Sequence, residues 1–193
     1  MIKRNAESHI LPPLQRDIIL YLAKEGSQTK NKIALGVSRS YKPTWTAFKS
    51  LKGKKLTKET DVKTYRGREY PQFWLTDNGV LIALAEGANP NRLLELTRQI
   101  YPKNQTLACY LEVLSKMSLH VIKIAYSALE SKGKLEPTDV INILLNKTAK
   151  ISDQLQKEVI DIIKTYPKEY DVFKKRMNQI WESLDKLRID IEK

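Results

Sequence analysis

Along the first third of the chain, apolar residues recur at helical spacing and are broken at regular places. Leu14, Ile18, Ile19, Leu22 and Ala23 line one helical face after Pro12 and Pro13, and Gly26 stops it. A short helix over about 29–35 turns Ile33 and Ala34 inward. Gly36-Val37-Ser38 makes a turn, and Ser40 stands where an N-cap belongs. A third helix over about 41–52 places Thr44, Ala47, Phe48 and Leu51 on its inner face. Lys42, Thr46 and Lys49 share the opposite face. Gly53 ends it and Leu56 returns to the core.

The period then changes from helical to two. Val62 and Thr64 alternate with Lys63 and Tyr65, and Tyr70, Gln72 and Trp74 alternate with Pro71, Phe73 and Leu75. Arg66-Gly67-Arg68 forms the tip between two strands, with Gly67 free to take a positive φ. Thr76 or Asp77 caps a further helix that runs to about Glu86, and Gly87-Ala88-Asn89-Pro90 closes a first domain of residues 1–88.

Beyond Pro90 no strand pattern appears, and residues 89–193 are expected to form an all-helical domain. Leu93, Leu94, Leu96 and Ile100 make a short helix before Pro102. A long helix is expected over 104–132, its seam Tyr110, Leu114, Met117, Val121, Ile124 and Ala128, ended by Gly133. Thr138 and Asp139 cap another with Val140, Ile143 and Leu144 inward. A helix over 151–163 comes next, broken by Pro167. Finally Phe173, Met177, Ile180, Leu184, Leu187 and Ile191 repeat at spacings of four and three, an a/d seam that fits packing within this domain or dimerisation. The fold class expected is mainly α with a small β-wing: a winged helix-turn-helix, then helices.

Charge sharpens this picture. The net charge is +12, and from Arg39 to Arg68 ten Lys and Arg stand against two acids, Glu59 and Asp61. Residues 1–87 carry sixteen basic residues against eight acids, and residues 88–193 eighteen against fourteen. The anion-binding half is therefore N-terminal, and its partner is nucleic acid or an acidic surface.

Other chemistry is sparse. The single cysteine, Cys109, lies in an apolar helical stretch as a small buried hydrophobe, which suits a reducing compartment. His9 and His120 have no second ligand at zinc spacing, and His120 reads as packed at a core edge. The seven glycines form neither a Walker A loop nor a dinucleotide fingerprint, and no G-x-S-x-G or H-E-x-x-H occurs. No enzyme, cofactor or metal is expected. No signal peptide or membrane-length apolar run is present, so the cytoplasm is the expected location.

Four pieces in order carry a family likeness: Ser40-Tyr41-Lys42-Pro43-Thr44, Leu51-Lys52-Gly53-Lys54-Lys55-Leu56, Tyr65-Arg66-Gly67-Arg68-Glu69-Tyr70, and Leu75-Thr76-Asp77-Asn78-Gly79. Residues 11–87 thus resemble the winged-helix transcription regulators of the MarR and PadR kind, including many small archaeal ones. Pro71 departs from the pattern and implies an edge strand.

The resemblance implies a third helix in the major groove of double-stranded DNA and a wing tip on the minor groove or backbone. The DNA-binding residues it implies are Ser40, Tyr41, Lys42, Thr44, Thr46, Lys49, Lys52, Lys54, Lys55, Lys63, Arg66 and Arg68. Lys54, Lys55 and Lys58 also fit plain solubility charges. Trp45 fits either the core edge or the DNA side. Tyr65, Tyr70 and Trp74 fit the wing's inner face or stacking on unpaired bases.

The function expected is transcriptional regulation, repression foremost, by a homodimer. Alternatives are a plasmid or viral replication or partition protein, or a winged-helix protein–protein module. The C-terminal helices could also hold a small effector or a protein partner.

Overall fold

A computed structural model describes residues 10–145 and 152–191, with side chains to Asn142 in the first stretch and from Ser152 to Ser183 in the second. His9 and the side chains of Ile143, Leu144, Leu184, Leu187 and Ile191 lie outside these described parts. The elements run α1 (Pro13–Glu25), β1 (Gln28–Thr29), α2 (Lys30–Gly36), α3 (Tyr41–Gly53), β2 (Thr57–Tyr65), β3 (Arg68–Leu75) and α4 (Asp77–Ala85). They continue with α5 (Pro90–Ile100), α6 (Gln105–Leu114), α7 (Leu119–Lys132), α8 (Pro137–Leu145), α9 (Asp153–Lys164) and α10 (Pro167–Ile191). The fold is mainly α, a winged helix-turn-helix followed by helices.

Helices α1, α2 and α3 fall at the positions their periodicity predicts. In the turn before α3, the Ser38 and Arg39 amides donate to the Leu35 and Ala34 carbonyls, with Ser38 at φ +52°. Thr44, Phe48 and Leu51 of α3 are buried with Ile18, Ile19 and Leu22 of α1.

The sheet is antiparallel in the order β1-β3-β2, so β3 is central, where the sequence pointed to an edge. The physical reason Pro71 is tolerated lies in the register. β1 pairs only with Gln72 and Phe73, so it stops one residue short of Pro71. Counted from the Tyr65–Arg68 pair at the turn, Pro71 and Val62 form a non-hydrogen-bonded pair, so the proline nitrogen points away from β2, to the side that β1 leaves open. β1 itself, at two residues, is too short to leave a period. β2 also begins at Thr57, earlier than the alternation shows, because a bulge at Thr60 breaks the phase between Glu59 and Asp61.

The long helix expected over 104–132 is two helices. Ser115 closes α6, its hydroxyl donating to the Glu112 carbonyl, and Ser118 stands at the N-cap of α7. Serines that bond the local backbone compete with helix continuation. The break lets α6 pack on α5, α8 and α9 while α7 packs on α4. The inward face of α7 is Ile122, Ala125, Tyr126 and Leu129; Ile124 and Ala128 of the expected seam are exposed. His120, expected at a core edge, is exposed as well, since it falls on the outer side of the first turn of α7.

Every residue of α4 from Gly79 to Ala85 is buried, enclosed by α1, β3, α5 and α7. The core is one cluster that runs from Leu11 to Tyr166 across the Gly87–Pro90 turn. Cys109 is fully buried in it, and burial, with Glu169 and Glu112 nearby, raises its thiol well above the ordinary range. It is a packing residue, without the thiolate character a nucleophile needs.

Candidate nucleic-acid interface

Three surfaces carry the N-terminal charge. The first is the outer face of α3, where Lys42, Thr46 and Lys49 are exposed. The hydroxyl of Thr46 donates back to the Lys42 carbonyl at 3.2 Å and keeps its lone pairs outward. Tyr41, 48% exposed, stands at the first position of the helix beside exposed Ser40. Ser40 occupies the N-cap without a side-chain capping bond; its carbonyl takes both the amide and the hydroxyl of Thr44. Thr44 itself is 2% exposed and belongs to the core. Its position on the inner face outweighs its place in the motif, and it is excluded from the contact surface.

The second surface is the exit of α3. Lys52, Lys54 and Lys55 are exposed, and the Lys54 ammonium donates to Gln15 on α1 at 3.1 Å. Lys55 adopts φ +57°, a left-handed conformation that closes the helix by sending the Leu56 amide back to the Leu51 carbonyl. Thr76 and Gly79 hold this turn from the other side. The Thr76 amide donates to Leu56, its hydroxyl to Lys55, and the same hydroxyl accepts the Gly79 amide. A Cβ at Gly79 would sit 1.9 Å from the Leu56 carbonyl oxygen, so only glycine fits there.

The third is the wing. Arg66 (φ +50°) and Gly67 (φ +73°) form a two-residue turn of the twist that matches a hairpin, flanked by the Tyr65–Arg68 pair. The register puts Lys63, Tyr65, Arg68 and Tyr70 on one side of the ribbon and Val62, Thr64, Glu69 and Pro71 on the other. The ribbon's acid near the tip is therefore segregated from its cations. The Arg66 guanidinium lies 5.3 Å over the Tyr65 ring.

The aromatic residues divide by depth. Trp74 is fully buried at the wing's root, its indole N–H donating to the Leu22 carbonyl at 3.0 Å, so it is a core residue and no part of the wing surface. Trp45 takes the core-edge place, stacked on Phe48 at 5.3 Å. Tyr65 is 58% exposed. One contact was not legible from the sequence: Lys30 on α2 lies 3.8 Å over the Trp45 ring, adding a cation beside α3. A lysine on a two-turn helix gives no signal of that neighbour.

Electrostatic pairing sets the stretch from Arg39 to Arg68 apart from the rest of the chain, where Arg16 and Lys24 are paired as well. Among the described residues, none of the ten basic residues between Arg39 and Arg68 forms an ion pair. After Pro90, Arg92, Arg98, Lys132, Lys164 and Lys174 all do. Unpaired cations on one side are what a polyanion can use.

The dimerisation residues expected on α10 are only partly in view. Phe173, Met177 and Ile180 are half-buried, and Trp181 beside them is 60% exposed. Among the described residues no His, Cys, Asp and Glu gather into a metal site, and no helix is long and apolar enough to cross a membrane.

No protein-family model matches the chain, and no curated protein matches it. Among solved structures it is similar to Lactococcus lactis ZitR, described as a zinc-responsive MarR family member. The identity is 20% and the TM-score 0.36, over 69% of this chain and 82% of that one. A structure of wild-type ZitR in complex with DNA is similar at 20% identity and TM-score 0.33, over 69% and 84%.

Proposed function

We propose that this chain is a double-stranded DNA-binding transcription regulator. Helix α3 enters the major groove, and the wing tip at Arg66 and Arg68 lies on the minor groove or backbone. The observation that carries this is the row of unpaired cations along the outer face of α3, its exit and one side of the wing. Lys42, Thr46 and Lys49 sit where base edges are reached; Lys52, Lys54, Lys55 and Lys63 sit where phosphates are. Ser40 and Tyr41 flank the helix start. Arginines at a narrow ribbon tip suit the electronegative minor groove.

The same reading makes the protein a homodimer through the free side of α10. That helix is about 37 Å long at 1.5 Å per residue, and it leaves Phe173, Met177, Ile180 and Trp181 incompletely covered. A two-fold arrangement presents two recognition helices to half-sites about one DNA turn apart. Repression by promoter occupancy is the simplest outcome of such binding.

Fluorescence anisotropy with duplex DNA tests the reading. Binding is expected to weaken steeply with salt, and Arg66→Glu with Arg68→Glu should lower the slope by about two counterions. Absence of any duplex binding at low salt would end it. Light scattering should give twice the 22.3 kDa chain mass, reverting to monomer in a Phe173→Glu, Ile180→Glu variant.

A further inference from the structure

A second anion site lies away from the α3 face. A cleft of about 560 Å³ opens between the root of the wing, the α5–α6 turn and the start of α10. That volume suits a small organic ligand. Lys58 of β2, Lys103 of the turn and Lys168 of α10 surround it, with no carboxylate in the lining. Among the described residues none of these three lysines forms an ion pair; Lys58 instead rests 4.2 Å over the Tyr101 ring. Three lysines from three separate elements line one cleft whose lining holds no carboxylate, so an anion seated there meets positive charge from each.

The surrounding protein reinforces the sign. Asn104 caps α6, and Thr106 and Lys168 occupy the first turns of α6 and α10, so two helices of ten and twenty-five residues present their positive ends here. Two carboxylates stand just behind, each bonded to a residue of the cleft lining, although the second oxygen of Glu169 is buried without a hydrogen-bond partner. Asp77 accepts from the Asn104 amide with both oxygens, and buried Glu169 accepts from the Thr106 hydroxyl at 2.7 Å. Glu169 thereby fastens the two helix starts together. Ile100, Pro102 and the Tyr101 ring supply an apolar wall.

From this geometry we propose that the cleft binds a small phosphorylated molecule, its phosphate oxygens held by Lys58, Lys103 and Lys168 and its carbon body against Tyr101. The mixed-charge cleft lined by Lys54, Lys55, Lys134, Asp77 and Glu130 has no such preference. The assignment does not rest on the DNA-binding reading.

Calorimetric titration of the full chain with pyrophosphate, at ionic strength held constant with sodium chloride, is the test. Saturable one-site binding is expected below about 10 mM. The affinity should drop about ten-fold or more in the triple variant Lys58→Gln, Lys103→Gln, Lys168→Gln, and hold in Lys42→Gln, Lys49→Gln. All five lysines are exposed, and circular dichroism confirms that each variant is folded. No saturable binding, or equal affinity in wild type and triple variant, would overturn the proposal. The salt slope of duplex binding separates a free phosphate from a DNA phosphate. An unchanged slope in the triple variant supports a small ligand; a slope lowered by about three places these lysines on the DNA backbone and overturns it.

Discussion

The hydroxyl of Thr76 donates to the carbonyl oxygen of Lys55 across 2.6 Å, joining the cap of α4 to the residue at which α3 turns left-handed. One side chain thus fixes the start of one helix and the end of another. Thr76→Val removes the donor and the cap together and should cost about 1–2 kcal/mol in urea unfolding. Gly79→Ala forces a methyl against the Leu56 carbonyl and should cost about 1–3 kcal/mol or more. Since both positions are remote from the outer face of α3, a variant that kept full stability would refute the clamp.

Lys55 combines a strained backbone with an outward charge. Lys55→Gly relieves the left-handed conformation and should raise stability by about 0.5–1 kcal/mol. On the DNA-binding reading it should also weaken duplex affinity and lower the salt slope by about one. Thermal melting and anisotropy on the same preparation read both signs.

The carboxylate of Glu86 lies buried, accepting from the Ile10 and Leu11 amides, with the Arg16 guanidinium 3.1 Å away. Glu86→Ala strands these donors and should destabilise by about 3 kcal/mol. Arg16→Met leaves the two amides paired and should cost less. Denaturation midpoints of the two variants decide the order.

Stability should fall at alkaline pH, where the buried tyrosines ionise. Tyr166 is pushed up to about 12 by burial and by its bond to Glu112, against an ordinary 10. Burial raises Tyr101, Tyr110 and Tyr126 as well. A group with a raised folded pKa contributes stability that is whole below pH 10, because the unfolded tyrosine ionises first. For Tyr166 that contribution is lost between about pH 10 and pH 12. Unfolding free energy measured from pH 8 to 11.5 should fall only above about 10, together with tyrosinate absorption.

Much of the N-terminal half was legible because its signals are local. The stops at Gly26 and Gly53, the Arg66-Gly67 turn and the Thr76 cap each act within a few residues. What escaped depends on contacts distant in sequence. Thr44 looks outward as part of a motif and inward by helical phase, and the phase wins. Trp74 alternates as a wing residue should, but the chain folds its root under α1. The run from Asn104 to Lys132 reads as one seam in sequence, but the four-residue turn between α6 and α7 resets the helical phase, so Ile122, Ala125, Tyr126 and Leu129 turn inward in place of Ile124 and Ala128. The lysines at 58, 103 and 168 stand 110 positions apart at the extremes, and no spacing rule could gather them.

Helix α4 is apolar on every side, wrapped by the wing root in front and by α7 behind. A segment cut after residue 88 would keep α1 and β3 on that helix but expose its α5 and α7 side to water, and should precipitate. The winged helix therefore cannot be transplanted as a cassette, and swapping the C-terminal half between proteins would require rebuilding the α4 jacket. Sequence drift on α7 is constrained by a surface far earlier in the chain, so the two halves must change in step.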